Sequence, residues 1–119
     1  MYSYIVKLNN IKVEAAHGLY ESEKKNNQLF EVDIAISLNR ESCNDDIKNS
    51  INYEYVYKII LKIFNQNCFS LLETLGEKII DQIFNDHNVH RVKVTMRKPE
   101  VAFDKNTNCI QVTVKRNNE

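Results

Sequence analysis

A surplus of either charge is what this 119-residue sequence most plainly lacks, because 16 Lys and Arg face 16 Asp and Glu. The basic residues are scattered among acids, so nothing is set aside to hold a phosphate backbone or an anionic bilayer. Neither a nucleic-acid nor a membrane role is expected. Long apolar runs are missing too. No window approaches the ~20 residues of a membrane span, and Met1 to Asn10 lacks the basic-then-apolar order of an export signal, so a cytoplasmic location is expected. Cys43, Cys68 and Cys109 are odd in number and widely spaced; this argues against a disulfide framework and suits reduced thiols. His17, His87 and His90 show neither H-x-H nor H-E-x-x-H spacing, so no metal is expected, and no cofactor. His87 and His90 instead fall near a helix C-terminus, where imidazoles face the dipole favourably. The length suits one domain, residues 1–119, around a single core.

What the chain does have is alternation. Tyr4, Val6 and Leu8 fall on even positions, then Ile11, Val13 and Ala15 on odd ones. A parity flip at Asn9–Asn10 is what one extra residue, a β-bulge, produces. Phe30, Val32, Ile34, Ile36 and Leu38 form the cleanest alternation, with Glu31, Asp33, Ser37 and Asn39 opposite. That is a half-buried strand whose other side faces water or a subunit. The period then becomes helical: Val56, Ile59, Ile60, Ile63 and Phe64 form one stripe, and Leu72, Leu75, Ile79, Ile80 and Ile83 another. Strands near 89–98 and through Ile110, Val112 and Val114 close the chain.

The order ββααββ predicts an α+β architecture, an antiparallel sheet with two helices on one face. Its connections at 16–28, 40–52 and 98–108 are longer than ordinary hairpin turns, which is characteristic of functional loops. Two hairpins also carry four edges' worth of unpaired backbone. Closing several copies into a barrel is one solution.

One residue breaks the pattern. Val92, Val94 and Met96 share the apolar parity, and Lys98 continues it immediately before Pro99, the only proline. An amine aimed at the buried rim of a sheet is costly unless something polar meets it there; otherwise it must snorkel to water. Ser70-Leu71-Leu72-Glu73 opens the second helix and has the spacing of a capping box, with Ser70 as cap and Glu73 reaching back. The same segment offers free helix-start amides and a carboxylate, a set suited to the amidine-like edge of a flat heterocycle. Gly18, after His17, is placed to supply a positive φ or a close backbone approach. Glu21 and Glu23 suit a solvated loop face, and Tyr53 a ring at the entry of the first helix.

Taken together, His17-Gly18 with Glu23, Gln28-x-Phe30, Asp46 before Asn52-Tyr53, Ser70-Leu71-Leu72-Glu73 and Lys98-Pro99 resemble the dihydroneopterin aldolase family of folate biosynthesis. The resemblance covers nearly the whole chain and lies in the combination and order of the motifs. It implies the ββααββ tunnelling fold, assembled as a tetrameric barrel or an octamer of two barrels, with active sites between neighbouring subunits. It implies retro-aldol cleavage of a small-molecule pterin, with no metal and no lysine imine. By position, Lys98, Tyr53 and Glu23 correspond to the catalytic set. Glu73, Leu72, Leu71, Ile51 and Leu19, with Tyr53 and Glu23 again, correspond to the substrate-binding set, the tyrosine reaching the site from an adjacent subunit. Asn27 stands where the family often has glycine, and the stretch after Pro99 lacks a further proline. Asn26-Asn27-Gln28 and Phe69-Ser70-Leu71-Leu72-Glu73 are also similar to the related dihydroneopterin triphosphate epimerase. A non-catalytic pterin- or purine-binding barrel on the same fold is the alternative outside enzymes.

Overall fold

Alternation becomes structure with few surprises. The computed structural model describes residues 1–66, 68–99 and 109–118. Four strands, β1 (Tyr2–Ala15), β2 (Gln28–Arg40), β3 (Arg91–Lys98) and β4 (Ile110–Asn117), form one antiparallel sheet in the order β1-β2-β3-β4. Helices α2 (Tyr53–Gln66) and α3 (Leu72–Asp86) lie between the hairpins in sequence. Their apolar stripes pack with the covered face of the sheet into one core, through Val56, Ile60, Ile63 and Phe64 of α2 and Leu72, Leu75, Ile79, Ile80 and Ile83 of α3. Ile59 is only partly buried and packs at the edge of that core.

The bulge lies where the parity flip places it. Leu8 pairs with Ile34 and Ile11 with Val32, so two residues of β1 face only Asp33 of β2. Asn10 takes φ 57°, a left-handed conformation that asparagine tolerates, and donates its N–H to Asp33 Oδ1 at 2.6 Å. Without that extra residue Ile11, Val13 and Ala15 would face away from the helices. All three are buried.

Two expectations are corrected. The hairpins do not stand apart with four edges: β2 pairs with β3 from Glu31–Arg97 to Ser37–Arg91, so among the described residues β1 and β4 are the edges of the sheet. The long connections are also structured. Residues 16–28 contain a short helix, α1 (Glu21–Lys25), and residues 40–52 contain a 3-10 turn, Ile47–Asn49, whose Lys48 amide is capped by Asp46 at 3.0 Å. A five-residue helix is too short to leave a periodic signal. The connection after Pro99 lies outside the described residues. No helix among the described residues is long and apolar enough to cross a membrane.

Gly76 lets α3 lie close to the sheet, since a Cβ there would stand 2.7 Å from Val114 Cγ2 and 2.9 Å from Met96 Cε. Met96 can swing its terminal methyl aside, whereas the branched Val114 has little freedom. Gly76→Ala should therefore destabilise the protein by about 1–2 kcal/mol, overpacking outweighing the gain in helix propensity of about 1 kcal/mol. Urea unfolding checks this; a variant as stable as the parent would show that α3 has room to move.

Candidate active site

Strand parity does carry Lys98 to the covered face. The residue is 9% exposed, and its Nζ donates to Glu23 Oε2 at 2.6 Å. The side chain does not snorkel; a carboxylate has come to meet it. Glu23 sits on α1, the element absent from the sequence expectation, and its side chain is as deeply placed as that of Lys98. Two further groups hold the carboxylate: the Tyr20 N–H reaches Oε1 at 3.3 Å and Gln28 Nε2 reaches Oε2 at 3.3 Å. Gly18 makes room for it. A Cβ at that position, where φ is 153°, would overlap the Glu23 carboxylate. Burial works to raise the Glu23 pKa, but hydrogen bonds from Lys98, the Tyr20 amide and Gln28 outweigh it, and the group lies below its usual range.

The pair lies in the wall of a cavity of ≈ 300 Å³. Leu19, Tyr20 and Glu23 form one side, Ser70, Leu71, Leu72 and Glu73 another, with Lys98, Ile110 and Val112 from the sheet. The Ser70–Glu73 segment does not form a capping box. Leu71 is the N-cap of α3, in extended conformation at φ −121° and ψ 137°, with no side-chain cap bond. The helix-start amides therefore lack that capping partner, with the Glu73 carboxylate in the first turn.

Sequence-expected residues thus converge: Lys98, Glu23, Glu73, Leu72, Leu71 and Leu19 all line the one cavity. Two do not. Ile51 is 2% exposed and packs in the core, and Tyr53, at the first position of α2, is 63% exposed and outside the cavity of its own chain. Tyr20, Ile110 and Val112 line the cavity without having been singled out as site residues. Covered-face parity marked Ile110 and Val112 as apolar, but only tertiary packing shows which apolar residues border a cavity.

His17 is the buried polar residue that lies behind this site. Its Nε2 is 2.6 Å from the Phe64 carbonyl, and its Nδ1 is 3.0 Å from the Phe69 N–H. A carbonyl only accepts and an amide only donates, so the proton belongs on Nε2. Burial lowers its pKa most, against the Phe64 carbonyl, and the nearby Lys98 charge lowers it further. His87 caps α3, donating its backbone N–H to Ile83 O at 2.9 Å.

The family model for dihydroneopterin aldolase (FolB) matches residues 6–115. A dihydroneopterin aldolase of Staphylococcus epidermidis is 29% identical over 118 residues, covering 97% of this chain and 98% of that protein. The dihydroneopterin triphosphate 2'-epimerase of Escherichia coli is 28% identical over 96 residues, covering 79% and 80%. The fold matches a crystal structure of E. coli dihydroneopterin aldolase in complex with neopterin, with a TM-score of 0.82 at 20% identity over 95% of this chain and 98% of that one.

Acid should weaken the protein in two steps. A group whose neutral form the fold favours, as with His17, contributes fully above about pH 6.5 and loses that contribution as pH falls. Glu23, favoured as carboxylate, contributes fully above about pH 4.3 and loses it as pH drops through its lower folded value. Urea unfolding across pH 8 to 3.5 should resolve both, and Glu23→Gln should shrink the lower step, to which the Arg97-paired Asp33 also contributes, while leaving the upper one. An unchanged lower step would mean the Lys98 pair contributes nothing to folding.

Proposed function

Since this chain belongs to the dihydroneopterin aldolase family, we propose that its cavity is where 7,8-dihydroneopterin is cleaved to 6-hydroxymethyl-7,8-dihydropterin and glycolaldehyde. The protein is a carbon–carbon lyase of folate biosynthesis. The observation that carries the site assignment is the Lys98–Glu23 pair at 2.6 Å, in the wall of a cavity whose other side is the start of α3. A buried ion pair seldom gains much stability, because desolvating two charges offsets their attraction; such pairs in clefts are candidates for chemistry.

A retro-aldol cleavage needs an electron sink beside the breaking carbon–carbon bond. The dihydropterin ring carries its own C=N, which accepts the bonding pair. The protein then has two proton tasks. One proton leaves the side-chain hydroxyl that becomes the aldehyde, and one is delivered to the ring-side carbon. The Lys98–Glu23 pair suits that traffic, with a water to carry protons between the pair and the substrate. Glu73 with the Leu72 backbone suits the amino edge of the pterin, where a carboxylate accepts paired N–H groups. Leu19 and Leu71 supply apolar contact for the ring. The neopterin bound to the E. coli relative supports a pterin as ligand.

Tyr53 belongs to this proposal through a second copy. It is exposed and lies outside the cavity of its own chain, and Ile5 and Tyr57 are likewise exposed apolar side chains away from that cavity. With β1 and β4 both unpaired along one edge, a homo-tetramer or octamer would seal edges and bring a neighbour's tyrosine to the site. In that assembly the chain acts as a single domain, residues 1–119, in the cytoplasm.

Purified protein given 7,8-dihydroneopterin should release 6-hydroxymethyl-7,8-dihydropterin and glycolaldehyde, identified by chromatography. Recovery of the 2'-epimer alone would make the protein an epimerase, and binding without turnover would make it a pterin carrier.

Two substitutions should separate the roles. Lys98→Ala should lower kcat by about 10²–10⁴-fold with little change in affinity. Glu73→Ala should weaken pterin binding by about 1.5–3 kcal/mol for each charge-assisted hydrogen bond lost. Single-turnover rates and pterin titrations measure the two, and a Lys98→Ala enzyme within about threefold of wild type would remove the lysine from the chemistry.

A further inference from the structure

His17 does more than fill the core. Its dipeptide with Gly18 holds both backbone polar groups of Phe69: the Phe69 N–H donates to His17 Nδ1 at 3.0 Å, and the Gly18 N–H donates to the Phe69 carbonyl at 2.9 Å. Phe69 is the residue before Ser70, where the α3 side of the cavity begins. The imidazole lies nearly parallel to the Phe69 ring, at 18° and 5.7 Å between centroids, and meets Phe30 and Phe64 edge-on. Its Nε2–H ties the ring to the last turn of α2 at the Phe64 carbonyl. The same dipeptide also reaches the opposite side of the cavity. The His17 carbonyl accepts from Gln28 Nε2 at 3.0 Å, and that nitrogen also contacts the Glu23 carboxylate.

We propose that His17 is a positioning residue, whose ring fixes the Ser70–Glu73 side of the cavity, by way of Phe69, against the Leu19–Glu23 side. The inference rests on the reading of this cavity as the pterin site. A phenylalanine could fill the same volume, but it would leave the Phe69 amide and the Phe64 carbonyl without partners. Because the ring acts on the Ser70–Glu73 side, its removal affects ligand affinity. Turnover of bound substrate changes less, since Glu23 is held through the His17 backbone carbonyl, which no side-chain substitution removes.

Two substitutions divide the ring's hydrogen bonds. The amide oxygen of an asparagine falls near the position of Nδ1 and can still accept from Phe69. The amide nitrogen of a glutamine falls near Nε2 and can donate to Phe64 but offers nothing to Phe69. Wild type, His17→Asn and His17→Gln would be titrated with neopterin, assayed for KM and kcat, melted, and followed by amide hydrogen exchange over residues 69–73. Both variants should lose stability. Only His17→Gln should weaken neopterin binding and raise KM, by about tenfold or more, with faster exchange at 69–73. His17→Asn should stay within about threefold of wild type on both.

Equal affinity in the two variants, or affinity that simply follows their melting temperatures, overturns the proposal. If either variant fails to fold, exchange in the wild type decides. A Phe69 amide protected as well as the core of α3 supports the clasp, and one exchanging as fast as an exposed loop overturns it. If wild type itself does not bind neopterin, the pterin reading fails, while the exchange contrast at 69–73 still tests the clasp.

Discussion

An ammonium on the covered face of a sheet must be met by an anion, and much of the candidate site follows from that requirement at Lys98. Val92, Val94 and Met96 before it are buried among the helices, so the register of β3 turns the amine to the same covered side, at the wall of the cavity. The connection between β1 and β2 answers with α1, which brings Glu23 over the end of the strand. Gly18 clears the space, and Tyr20 and Gln28 fix the carboxylate from two sides. The arrangement concentrates charge where an apolar residue would cost less to bury. Its value lies in the cavity it borders.

The residue before Lys98 plays the opposite part on the other face of the sheet. Arg97 points away from the helices and grips Asp33 through two nitrogens, at 2.7 and 3.2 Å. This guanidinium is the main reason the Asp33 pKa lies below its usual range. Asp33 also accepts the Asn10 N–H at the bulge. Two consecutive basic residues at the end of β3 therefore serve two ends. Arg97 braces the position where β1 changes parity, and Lys98 equips the cavity. Strand alternation alone separates the roles.

The cavity joins parts that differ in how firmly they are built. The sheet side belongs to a continuous ladder, with Lys98 opposite Ile110 and Met96 opposite Val112. The other two sides are a short helix and the first turn of a longer one, segments with few ladder bonds of their own. The His17-Gly18 dipeptide ties them together by contacts to Phe69 on one side and Gln28 on the other. Such placement matters because a catalytic constellation misaligned by about 1 Å loses much of its effect.

Much of this was legible in the chain. Period-two and period-3.6 patterns gave the ββααββ order and the core, because burial repeats with the geometry of each element. The parity flip located the bulge at Asn9–Asn10, and the parity of Lys98 showed that its amine needed either a polar partner at the covered rim or a path to water. The motif combination pointed to the family and to six residues that share the cavity. What the sequence could not supply is what depends on segments distant along the chain coming together. Helix α1 is too short to leave a periodic trace, so spacing alone puts Glu23 on a solvated loop face; the family resemblance groups it with Lys98, and the fold brings the two side chains to 2.6 Å. Ser70 and Glu73 have the spacing of a capping box, yet Leu71 takes the cap position in extended conformation, with no side-chain cap bond. The neutral tautomer of His17 is likewise decided by a carbonyl 47 residues away and an amide 52 residues away. Local pattern fixes which face a side chain takes; only tertiary packing decides what it meets there.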